Sequence, residues 1–175
     1  MSHKEQREYC TRIKDEFPEH FNGVDVLDCG SLDINGNNRY LFSNYTYVGL
    51  DVGKGNNVDL VCPTHLHNAA YESYSFIIST ECFEHDKHYK ESIKNIVGML
   101  KSGGMFLFTC ATTGRAEHGT TATSPDDAPF TNDYYKNLTE EDIRAVIDID
   151  EVFSEYAFEV DNKHKDLNFY GIKKA

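Results

Sequence analysis

Two apolar runs, "YSFIIST" (residues 74–80) and "MFLFTC" (105–110), constrain this chain more than any other feature. Each is apolar at consecutive rather than alternate positions, as a strand covered on both faces must be. Between them Tyr89, Ile93, Ile96, Val97 and Leu100 recur at helical spacing over 87–100, the pattern of an amphipathic helix. Ser102-Gly103-Gly104 then reads as the turn that ends it. A strand, a helix and a strand in that order imply a right-handed crossover and a parallel sheet.

Shorter strand signals extend the sheet. They are "VDVLD" (24–28), "YTYVGLDV" (45–52) and "VDLVC" (58–62). Residues 3–17 carry Tyr9, Ile13 and Phe17 on one helical face, closed off by Pro18. Thr139 reads as an N-cap with Asp142 three residues on, and Leu138 is placed to staple against Ile143. Two last strands near 152–160 and 167–173 have no helix between them, which suggests an antiparallel strand at one edge. No internal repeat interrupts the order, so residues 1–175 are expected to form one domain. The connection from Ala111 to Asn137 is long enough to be functional.

Charge narrows the partners. With 29 acids against 17 lysines and arginines the formal net charge is −12, which disfavours nucleic acid and an anionic membrane surface. No apolar run approaches the roughly 18 residues of a membrane helix. The five cysteines are odd in number and form no CxxC pair. They read as reduced thiols, and the charged start "MSHKEQREYC" has no signal-peptide core, so a cytoplasmic protein is expected.

The stretch "VDVLDCGSLDINGNN" from Val24 to Asn38 is the strand and turn of a nucleotide site, yet it lacks the G-x-G-x-x-G of a dinucleotide fold. Asp28 ends the first strand, and Gly30 lets the backbone approach a ligand closely. Asp51 ends the second strand, placed to accept hydrogen bonds from ribose hydroxyls. Leu32 and Asp33 hold the places of the missing glycines. An acid there would repel a pyrophosphate but suits a nucleoside with a cationic centre. S-adenosylmethionine is such a ligand.

The segments "VLDCGSLDINGNNR", "YVGLDVGKGNNVD", "FIISTECFEHD", "GMLKSGGMFLFTCATTGRAEHGT" and "YYKNLTEEDI", in this order, resemble the class I S-adenosylmethionine-dependent methyltransferases of the type 11 group, over about Val24 to Ile143. The resemblance implies a Rossmann-like, doubly wound α/β sheet of seven strands in the order 3-2-1-4-5-7-6, mostly parallel with one antiparallel strand. It implies that Asp28, Gly30, Ser31, Leu32 and Asp33 lie along the methionine part of the cofactor. Asp51 would hold the ribose, and Val52 would pack on adenine. Many members have an acid after the third strand that takes the adenine amino group; here Pro63 stands there, and the backbone at Thr64 and His65 is expected to cover the adenine edge instead. Thr80 and Glu81 would line the methyl-transfer chamber.

Because the cofactor is an activated donor, the enzyme mainly aligns an in-line attack. A base is needed only where the nucleophile must lose a proton. His85 and His118 are the candidate bases, since histidine titrates near neutrality. Arg115 is a candidate for orienting an anionic substrate group, and Tyr134 and Tyr135 for walling the acceptor pocket. The acceptor is expected to be a small molecule, with oxygen favoured over nitrogen and a sugar or glycan-related compound the working guess. Two other readings stand beside this one. The altered glycine turn keeps open a non-catalytic cofactor-binding module of the same fold, whereas the missing glycines count against a nicotinamide oxidoreductase. His65-x-His67 and His85-Asp86-x-His88 each offer two metal ligands, but neither has a companion cluster at a known spacing, so no metal is expected. Oligomeric state is not encoded in any pattern of the sequence.

Overall fold

A computed structural model describes residues 3–175. Its centre is a seven-stranded sheet in the order β3-β2-β1-β4-β5-β7-β6, as the resemblance implies. In chain order the elements are α1 (Lys4–Glu16), β1 (Asp25–Cys29), β2 (Thr46–Asp51), β3 (Leu60–Val61), β4 (Tyr74–Thr80), α2 (Tyr89–Met99), β5 (Leu100–Ala111), α3 (Glu140–Arg144), α4 (Ile149–Val152), β6 (Phe153–Asp161) and β7 (Asp166–Lys173). The first five strands run parallel, and β7 is antiparallel to both of its neighbours. The antiparallel strand is therefore one place in from the edge rather than at it, and β6 is the edge strand. The interior position fits the sequence, because Asp166–Gly171 is buried throughout.

The consecutive apolar runs work as expected of strands with two covered faces. Along β4 and β5, Phe76, Ile78, Met105 and Leu107 join Tyr9, Cys10 and Ile13 of α1 in one core. Ile77, Phe106, Phe108 and Cys110 face the other way, onto Ile93 and Ile96 of α2. Pleating sends successive side chains to opposite faces, so each run supplies both cores.

Two further expectations are corrected, and one connection is shown that the sequence left unassigned. The helix over 87–100 is Tyr89–Met99, and Ser102-Gly103-Gly104 does not end it. The chain turns directly into β5 at Leu100, a buried residue opposite Tyr74, and the register then shifts before Met105. The third strand shrinks to Leu60–Val61, both exposed at the sheet edge. Between β1 and β2 there is no α-helix, only a 3-10 turn at Arg39–Leu41. The Asp33 carboxylate is the local reason: it accepts from the Gly36 amide at 2.7 Å and from the Asn37 side chain at 2.8 Å. Such bonds offer the backbone an alternative to helix.

The capping box at Thr139 forms as expected, with the Thr139 side chain on the Asp142 amide and the Asp142 carboxylate on the Thr139 amide. Among the described residues no helix is long and apolar enough to cross a membrane.

Candidate functional site

A cavity of about 480 Å³ opens beyond the carboxyl ends of β1, β2 and β4, covered on one side by residues 127–134 of the long connection. This is where open α/β sheets receive ligands. Asp28, Gly30, Ser31, Leu32, Asp51, Val52, Thr64, Thr80, Glu81 and His85 all line it. Asp33, His65 and His118 lie behind its wall: Asp33 shapes the turn, the His65 ring packs on His88 at 4.2 Å, and His118 backs His85.

The β1 and β2 ends are held by hydrogen bonds. Asp51 accepts from the Leu32 amide at 3.0 Å and from the Gly53 amide at 3.1 Å. Burial nonetheless raises its pKa above the ordinary value. Asp28 is buried and accepts from the Tyr47 hydroxyl and, at 3.3–3.4 Å, from the Asn38 amide. Burial dominates there and pushes its carboxyl up to about 6. Asn38 also donates to Thr80 Oγ1 at 3.1 Å, which ties the turn to the end of β4. Gly30 has φ +83°, and a Cβ there would lie 2.5 Å from Cys82 Sγ. Only glycine fits this contact.

Glu81 follows β4 in a left-handed conformation, φ +52°. Its carboxylate accepts from Thr109 Oγ1 at 2.8 Å and pairs with His3 at 3.5 Å. Burial opposes its ionisation, yet the His3 partner outweighs it and holds the carboxyl down to about 2. His3 is likewise pushed down by burial but raised overall to about 10 by Asp166 and Glu81.

The next turn, Phe83–His85, is different. Glu84 is buried, and neither of its oxygens makes a hydrogen bond of good geometry among the described residues. Burial and the neighbouring Glu81 charge raise its carboxyl to about 8. Neither ring nitrogen of His85 makes a hydrogen bond of good geometry among the described residues. Burial and the adjacent His118 lower its pKa to about 3, so the imidazole is neutral and weakly basic. His85 and His118 meet edge to face at 4.9 Å between ring centres, and Tyr135 packs on both.

The remaining candidates separate. Tyr134 lines the cavity; Tyr135 lies behind it, its hydroxyl donating to Asn137 Oδ1 and lying 3.2 Å from Ala116 O. Arg115 is engaged away from the cavity, with His164 O at 2.7 Å and Asp166 at 2.8 Å, and is not available to a substrate there. His67 bonds Tyr74 at 3.2 Å, so the two histidine pairs of the sequence do not assemble into a ligand set. Sequence reasoning missed Asn38, Cys82 and Phe130. Asn38 stood in the polar run "NGNN" without a distinguishing mark, and Phe130 reaches the site across the long connection, packing on Gly53.

No family model matches the sequence, and no curated protein matches it. Solved structures do. The chain is similar to the Burkholderia thailandensis 1,6-didemethyltoxoflavin-N1-methyltransferase bound to 1,6-didemethyltoxoflavin and S-adenosylhomocysteine, with a TM-score of 0.64 and 13% identity over 97% of this chain and 78% of that one. It is similar to Haemonchus contortus phosphoethanolamine N-methyltransferase 2 in complex with phosphomonomethylethanolamine and S-adenosylhomocysteine, with a TM-score of 0.65 and 18% identity. That match covers 96% of this chain, which spans 53% of the Haemonchus contortus chain. The N-methyltransferase NodS of Bradyrhizobium japonicum matches over 97% of both chains, with a TM-score of 0.60 and 14% identity. The fold is thus that of the class I methyltransferases.

Proposed function

We propose that this chain transfers a methyl group from S-adenosylmethionine to a small-molecule acceptor. The observation that carries the reading is Asp51, a cavity-lining carboxylate at the end of β2, held in place by the Leu32 and Gly53 amides beside the close approach at Gly30. The residues present fit the cofactor. Asp51 is set to accept the ribose hydroxyls. Asp28, Thr80 and the Gly30–Leu32 backbone offer acceptors and space for a cationic aminoacyl end. Val52, Ile34 and Phe130, all exposed at the cavity, offer apolar faces to a base. Bound there, the cofactor supplies an activated methyl group on a sulfonium.

The chain's own task is then alignment and exclusion of water. The 127–134 segment covers the cavity, and Tyr134 and His85 wall the acceptor side. His85, neutral and weakly basic, orients an acceptor better than it deprotonates one. An oxygen acceptor, the preference drawn from the sequence with a sugar or glycan-related compound as its class, needs another base, and His118, the other candidate from the sequence, lies behind His85 and does not line the cavity. An acceptor that arrives already nucleophilic needs neither. The weakness of His85 as a base also favours, as a second reading, a module that binds the cofactor without turning it over.

Calorimetric titration of ligand-stripped protein with S-adenosylmethionine, S-adenosylhomocysteine and NAD tests the proposal. Micromolar binding of the first two with none for NAD is the expected result, and absence of binding by both sulfur compounds overturns it. Turnover of the bound cofactor in an acceptor screen separates the enzyme from the module.

A further inference from the structure

We propose that Glu84, His85 and His118 form a binding site for one divalent transition-metal ion at the inner wall of the cavity. The inference stands apart from the cofactor reading, since it uses none of the groups that would hold the cofactor.

The donor set is the first support. A carboxylate oxygen and two imidazole nitrogens lie within 4.8 Å of one another. Donors around a zinc ion sit roughly 3.3–3.5 Å apart, given bonds of about 2.0–2.2 Å, so side-chain rotations of modest size bring the three into bonding distance. Two nitrogens and one oxygen suit zinc and its first-row neighbours rather than magnesium or calcium, which prefer oxygen alone.

The second support is unmet bonding capacity. Four buried polar atoms, Oε1 and Oε2 of Glu84 with Nδ1 and Nε2 of His85, make no hydrogen bond of good geometry among the described residues; only weaker backbone contacts reach them, from Glu84 and Ala111 to the Glu84 carboxyl and from Tyr134 to the His85 ring. Buried polar side chains nearly always have well-formed partners, and a buried carboxyl without a compensating charge holds its proton until a cation displaces it. One cation bound between these two side chains meets both needs at once.

Third, the surroundings orient the donors as a metal site requires. His118 donates from Nδ1 to the Ala116 carbonyl at 3.1 Å, which leaves Nε2 with its lone pair free to ligate. The Tyr135 hydroxyl, which donates to Asn137 Oδ1 at 2.8 Å, also lies 3.2 Å from that carbonyl, and its ring packs on both imidazoles. The Lys136 amide donates to the Glu84 carbonyl at 2.8 Å and fastens the turn to the far end of the long connection. Gly119, at φ +69°, presses that connection onto the ring: a Cβ there would lie 2.7 Å from His85 Cε1. These contacts bring His118 onto His85 across a long stretch of sequence. Three protein ligands leave a coordination position, as in catalytic rather than structural zinc sites, and His85 itself faces the cavity.

The test uses the full chain, dialysed against a chelator and titrated with zinc by calorimetry and with cobalt(II) by visible absorption. One ion per chain at micromolar affinity or tighter is expected, with cobalt bands of a nitrogen–oxygen site. His118→Ala and Glu84→Gln are each expected to weaken binding at least ten-fold, while His20→Ala, far from the cluster, leaves it unchanged. His118 is only half-buried, so its variant decides the matter even where Glu84→Gln fails to fold. Absence of stoichiometric binding overturns the site, and so does binding that His118→Ala leaves intact. S-adenosylmethionine affinity, measured in parallel, is a separate readout that neither result presupposes.

Discussion

The two sides of the cavity are built on opposite principles. On the β1–β2 side, Asp28 and Asp51 are both hydrogen-bonded in the free protein, by Tyr47 and Asn38 and by the Leu32 and Gly53 amides. Beyond β4, where Glu81 is itself held by Thr109 and His3, the next turn places His85 at the cavity and Glu84 behind it, both buried without well-formed hydrogen bonds among the described residues. Groups already fixed lose little further freedom when a ligand arrives, so the first side is preorganised. Groups left unmet raise the free energy of the free protein, and a ligand that satisfies them recovers it. The same cavity thus presents one finished surface and one that a ligand completes.

The sides meet at Gly30 and Cys82, and separating them should have the largest effect. Gly30→Ala places a methyl 2.5 Å from Cys82 Sγ at φ +83°. Left-handed strain contributes about 1–2 kcal/mol and overpacking about 1–3 kcal/mol. A stability loss of about 2–5 kcal/mol is therefore expected in urea unfolding. A loss below about 1 kcal/mol would mean that the sides are not packed together through this pair.

The finished side still carries a burial penalty at Asp28, and pH exposes it. Its carboxyl lies at about 6 in the folded chain against an ordinary 3.8. A carboxyl raised on folding leaves stability whole below its ordinary value and removes it as pH rises through the folded one. Asp28 thus destabilises the free protein above about pH 6, by on the order of 2–3 kcal/mol. Asp28→Asn should gain on the native chain between pH 4 and pH 7 in paired denaturation curves. A difference that stays flat would show the carboxylate to be well solvated or fully compensated.

Much of this arrangement was readable in the chain and part was not. β4, β5 and α2 were plain, because consecutive apolar runs and helical spacing reflect burial directly. The acids at the strand ends were plain for a similar reason, each following an apolar run. The sheet order came from the family resemblance, since alternation of elements only permits it. The absence of a helix after β1 escaped, because it depends on Asp33 bonding Gly36 and Asn37 rather than on any periodicity. The partnership of His118 with Glu84 and His85 escaped too. It joins a loop to a turn through contacts at Gly119 and Tyr135 that no local pattern encodes, so histidine spacing pointed to other pairs. Arg115 looked free for a substrate only because its partner Asp166 lies far along the chain.

Asp51→Ala sharpens the contrast at the level of binding. Loss of a charged acceptor should weaken S-adenosylmethionine by about 1.5–3 kcal/mol, read by the same calorimetric titration. Unchanged affinity would remove Asp51 from the site and with it the main reason to regard this side as preorganised.

The smallest effect should come from Thr139→Ala, which touches neither side. Thr139 caps α3, and its amide donates the reciprocal bond to the Asp142 carboxylate, which also pairs with Lys136 at 2.7 Å. Removing such a cap typically destabilises by about 1 kcal/mol, and thermal or urea unfolding should report that loss. α3 begins where the long connection ends, so the cap anchors the segment that brings Phe130 and Tyr134 over the cavity and His118 against its wall. If the two sides are independent structures, cofactor affinity stays as it was in this variant. A parallel fall in affinity would mean that the connection's anchor tightens the finished side as well, and the division between the sides would then be one of hydrogen bonding but not of mechanics.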